Sequence, residues 1–128
     1  MVAATMSSDR MPVLTQEGVL AHLEGDRYLL WSVAHIFLEH LPRQVAEIRD
    51  ALTQSDSPRL ERAAHKLKGS VIALGAEEAY ERAQVLETMG SHSDLADGDR
   101  AFAELEEVLV PLRTILEEVA RQPEPTEP

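Results

Sequence analysis

The sequence predicts an all-α protein, an antiparallel helical bundle, and three observations carry that expectation. Apolar residues make up 44% of the 128 positions, but aromatics only 4%. The core must therefore be built from Leu, Val, Ile and Ala, which suits packed helices better than a sheet wanting β-branched and aromatic residues. Apolar positions recur at helical spacing through most of the chain. Helix start and stop signals divide it into segments of helical length.

Residues 1–14 read as a flexible arm. Thr15 can cap a short helix, "QEGVLAHLE", which Gly25 ends. Asp26 is a good N-cap for "RYLLWSVAHIFLEHL", where Leu30, Val33, Ala34, Phe37, Leu38 and Leu41 share a face. Pro42 should break or kink this helix. Val45, Ile48, Ala51 and Leu52 continue the pattern in "RQVAEIRDALTQ". Ser57 can cap the next helix with Pro58 at its first position, running to Leu74, with Gly75 as a left-handed terminator. A further helix covers about Ala76 to Met89 and Gly90 stops it. Asp99 caps a last helix to about Arg121, which Pro111 should kink. Residues 122–128, "QPEPTEP", read as a disordered acidic tail. One helical domain over 15–121 results, with five or six helices and no strands.

Composition narrows the function. The formal net charge is −11 and no basic stripe stands out, so nucleic acid is not an expected partner. No apolar run is long enough to span a bilayer, and the N-terminus lacks a signal-peptide core. With no cysteine, disulfides and thiolate metal sites are excluded, and a cytoplasmic setting is expected. His22, His35, His40 and His92 are scattered over different elements, so no metal site is expected.

The informative stretch is "AAHKLKGSVIALGA", residues 63–76. A helix interior glycine costs roughly 1 kcal/mol relative to alanine, so Gly69 needs a reason. On a helical wheel Leu60, Ala63, Ala64, Leu67, Val71 and Leu74 form the core stripe, and His65 falls on its flank, about 140° from Leu60. Lys68 and Gly69 are three and four residues on, the neighbours of His65 one turn away. If Gly75–Ala76 is a tight turn, His65 lies level with Glu87 on the following helix, and Lys68 with Gln84. Histidine, lysine, carboxylate and amide can then gather at one rim of a helical hairpin. Neutral imidazole is a nucleophile near pH 7. A carboxylate on Nδ1–H fixes the tautomer and leaves the Nε2 lone pair outward. A nearby lysine can neutralise an arriving phosphoryl group, and a glycine gives the donor access. Each residue has a plainer reading: a surface histidine, a solvated lysine or acid, a packing glycine. The combination is what points to chemistry. The acids of the last helix, from Glu104 to Glu118, read as a solvated face, and Trp31 and Phe37 as core.

At these residues the chain resembles the histidine-containing phosphotransfer (HPt) domain of multistep phosphorelays. The matching positions are Ala64, His65, Leu67, Lys68, Gly69, Ser70, Leu74, Gly75 and Ala76, then Leu86 and Glu87; Val71 stands where many members have a small residue. The resemblance implies a four-helix bundle with one or two additional N-terminal helices. It implies that His65 accepts phosphate on Nε2, that Lys68 assists, that Gly69 keeps the approach open, and that Glu87 bonds the other ring nitrogen. It further implies a phosphocarrier rather than an enzyme, usually monomeric. The expected partners are response-regulator receiver domains and a sensor or hybrid histidine kinase. No cofactor of its own is expected, since the receiver brings the aspartate and Mg²⁺. Two other readings are a helical binding module that carries no phosphate, and the phosphotransfer part of a larger hybrid or chemotaxis-type kinase. An exposed Ile72, with Tyr80 near it, would suit receiver docking.

Overall fold

The structure is a computed structural model that describes residues 14–125. Most of the expected N-terminal arm and the end of the acidic tail lie outside the described residues. The first described residue, Leu14, packs against the core.

Five helices are described: α1 (Gln16–His22), α2 (Arg27–Thr53), α3 (Ser57–Ile72), α4 (Glu77–Ser91) and α5 (Gly98–Arg121). The last four close a ring, α3 packing on α2 and most extensively on α4, while α5 closes against both α4 and α2; α1 touches α2. Short connections make successive helices antiparallel. No strand occurs among the described residues.

Apolar spacing explains why the bundle holds. α3 buries Leu60, Ala64, Leu67 and Val71, α4 buries Ala79, Ala83 and Leu86, and α5 buries Leu105, Leu109, Leu112 and Leu116. Each large side chain withdrawn from water contributes about 1.5–3 kcal/mol before entropy is set against it. Small Ala residues on α3 and α4 let these two helices lie close. Trp31 is only partly buried, at the edge of this core, where its Nε1–H donates to the Gln122 carbonyl at 3.0 Å.

Several boundaries differ from the sequence expectation. Pro42 does not break its helix: α2 runs unbroken through it, with Pro42 on the exposed side. Apolar residues on both sides, Phe37, Leu41 and Ile48, are buried in the same core, and this outweighs one lost backbone hydrogen bond. α5 likewise continues through Pro111. The cap of α3 is Asp56, whose carboxylate accepts from Arg59 N, so Ser57 and Pro58 fall in the first turn. The N-cap of α5 is Asp97, not Asp99.

Gly75 and Gly90 behave differently. Gly75 has φ +77°, and a Cβ there would also meet the His22 ring of α1 at 2.4 Å. Its N–H donates to Ile72 O and the Ala76 N–H to Val71 O, so α3 ends at Ile72, two residues earlier than expected. Gly90 does not stop α4. It lies buried inside the helix, where a Cβ would be 2.6 Å from Glu61 N and 2.8 Å from Ser57 O. Its missing side chain is what brings the C-terminal end of α4 against the first turns of α3.

Candidate functional site

The α3–α4 hairpin holds the site. The Leu60–Val71 stripe points inward, which places His65 on the outer flank with its side chain 69% exposed. From α4, Leu86 enters the core and the next residue, Glu87, lies at the rim with a side chain 19% exposed.

His65 Nδ1 stands 2.8 Å from Glu87 Oε2. A carboxylate only accepts, so Nδ1 carries the proton and donates. In the neutral ring Nε2 then holds the lone pair, on a side chain that faces solvent.

Lys68 meets the same carboxylate from the other side. Its Nζ is 2.6 Å from Glu87 Oε1 and lies 5.6 Å from the centre of the Tyr80 ring. The pairing of Lys68 with Gln84, expected from level alone, does not form; the Lys68 ammonium goes to Glu87 instead and Gln84 is exposed. Helical side chains lean toward the N-terminus of their helix, which carries the lysine back to the level of His65. Electrostatics follow the geometry. The Lys68 bond, more than that of His65, holds the Glu87 carboxyl below its ordinary 4.5, against partial burial that pushes it up. The Glu87 bond raises the Lys68 ammonium above its ordinary 10.5.

Gly69 is exposed, and a Cβ placed there would meet nothing within 4 Å. The space beside the imidazole is open on that side, and the glycine serves no packing contact. Ile72 is 38% exposed, outside the core.

A family comparison bears on the chain as a whole: the Hpt domain model matches residues 32–122, well over half of the chain. The chain belongs to the Hpt domain family. No curated protein and no solved structure matches it. An Hpt domain carries phosphate on histidine in phosphorelays and is a carrier rather than a catalyst, acting with receiver domains and kinases. No described helix of this Hpt domain is long and apolar enough to cross a membrane.

Sequence reasoning left α2 out of the site. In the structure Ile36 of α2 is 57% exposed and lines, with Val33, Phe37, His40, Ser70 and Ala73, an apolar hollow on the α2–α3 face. The signal was present in the sequence: Ile36 is a large apolar residue one position away from the Ala34–Phe37–Leu41 stripe, where a solvated helix face would carry a polar one.

Proposed function

We propose that His65 is the phospho-accepting residue, taking a phosphoryl group from the aspartyl phosphate of a receiver domain, or from a kinase, and passing it to another receiver. The hydrogen bond from His65 Nδ1 to Glu87 Oε2 carries this reading, because it leaves the exposed Nε2 as the nucleophile. The Nε2 lone pair attacks phosphorus, the Nε2–P bond forms, and the P–O bond to the aspartate breaks, returning a free carboxylate to the receiver. The ring keeps its Nδ1 proton and gains positive charge, which the Glu87 carboxylate faces. Lys68 holds that carboxylate in place and adds positive potential where the phosphoryl group arrives. Gly69 leaves room for the donor, and Gln84 contributes a polar edge on α4. The aspartate and Mg²⁺ belong to the receiver; this domain supplies no cofactor.

The test is transfer from purified receiver domains phosphorylated with acetyl phosphate. Acid-labile phosphate should appear on the wild-type chain and not on His65→Gln, whose helical circular dichroism should be unchanged. Undiminished labelling of that variant would overturn the assignment. A chain that binds receivers without ever carrying phosphate would be the non-phosphorylated binding module instead.

A further inference from the structure

The protein as a whole is acidic, at −11, yet its cations are not evenly spread. Arg43, Gln44 and Glu47 of α2 and Arg59, Arg62 and Lys66 of α3 line one shallow groove between the two helices. Arg62 lies one turn before His65 on α3 and Lys66 directly after it, so the groove runs along the same helix that carries the histidine, which does not itself line it.

Only one of the four cations is spoken for. Arg59 grips Glu47 through Nε at 2.7 Å and Nη2 at 3.2 Å, and its Nη2 lies 3.8 Å from Asp50. Arg43, Arg62 and Lys66 form no ion pair among the described residues. The positive field of Lys66 and Arg62 reaches Glu47: the Arg59 hydrogen bond first, then the charges of Arg59, Lys66 and Arg62, hold its carboxyl below the ordinary value. Unpaired like charges at one spot repel one another, and an opposite charge arriving there relieves that cost. The neighbouring hollow around Ile36 shares Gln44 with this groove, so the α2–α3 face is apolar at one end and basic at the other.

We infer that Arg43, Arg62 and Lys66 select among receiver domains, favouring one that carries an acidic cluster at the edge lying over the α2–α3 groove when its aspartate meets His65. The inference rests on the phosphotransfer reading of His65. An acidic partner is repelled by the rest of this surface and attracted at this groove, so the patch fixes which way round the partner lands and speeds encounter.

A panel of receiver domains, each phosphorylated with acetyl phosphate, tests it. The fastest donor to the wild type is assayed again with the triple variant Arg43→Glu/Arg62→Glu/Lys66→Glu and with the milder Gln triple. A control, Arg27→Glu/Arg100→Glu/Arg113→Glu, makes the same net charge change elsewhere. Transfer should slow by about tenfold or more in the Glu triple, less in the Gln triple, and much less in the control. The wild-type rate should fall with added salt, and the Glu triple should lose that dependence. Phosphorylation of His65 by the small donor phosphoramidate should be unchanged in all of them. Equal rates and equal salt dependence in wild type and Glu triple overturn the inference. A wild type that takes no phosphate from any receiver, or from phosphoramidate, overturns the phosphotransfer reading as well.

Discussion

Lys68 and His65 share one carboxylate: Glu87 takes the lysine on Oε1 at 2.6 Å and the histidine on Oε2 at 2.8 Å. The lysine is thereby tied to the imidazole through a common partner, and both depend on a residue from the next helix.

Removing Glu87 should therefore affect reactivity and stability together. Glu87→Ala leaves the Lys68 ammonium without its partner and should lower stability. It also frees His65 to take either tautomer, and phosphate uptake should slow. Chemical denaturation and initial transfer rates check the two effects; an unchanged rate would show that the tautomer is not set by Glu87.

The pH dependence has a definite sign. The Glu87 carboxyl is depressed in the folded state, so its contribution is present above the ordinary 4.5 and is lost as pH falls through the lower folded value. Lys68 is raised, so its contribution is present below 10.5 and is lost as pH rises through the higher folded value. Glu87→Gln should flatten both ends of the melting temperature profile relative to wild type, measured from acid to alkaline pH.

Two helical glycines should respond in opposite ways to the same change. Gly69→Ala meets open space and should leave stability unchanged or raise it by up to about 1 kcal/mol. Gly90→Ala sets a methyl against the backbone of Glu61 and Ser57, and should cost about 1–3 kcal/mol as α3 and α4 are forced apart. Thermal melts distinguish them. Gly69→Gln should keep the fold and slow transfer from a receiver, since it fills the space beside the ring; transfer at the wild-type rate would remove the access argument.

Ile36 and Ile72 are exposed, so Ile36→Asp and Ile72→Asp should each leave the melting temperature within a degree or two. If they belong to the docking face, receiver binding measured by titration should weaken. A large fall in melting temperature for either would instead place it in the packing of the bundle.

The sequence by itself determined the helical class, the core stripe of α3 and the position of His65 on its flank, because a 3.6-residue period fixes which side chains share a face whatever surrounds the helix. It also placed Glu87 opposite His65, since a tight turn at Gly75 sets the register of an antiparallel pair. Other features depend on contacts between helices, which no local pattern encodes. Pro42 signals a break, yet burial of Phe37, Leu41 and Ile48 on both sides keeps α2 whole. Gly90 signals a stop, yet the close approach of α3 makes it a packing residue. Lys68 finds Glu87 rather than Gln84 because a long side chain reaches along the helix as well as across it. The groove that gathers Arg43 with Arg62 and Lys66 exists only once α2 lies beside α3, for residues some twenty positions apart become neighbours through packing alone.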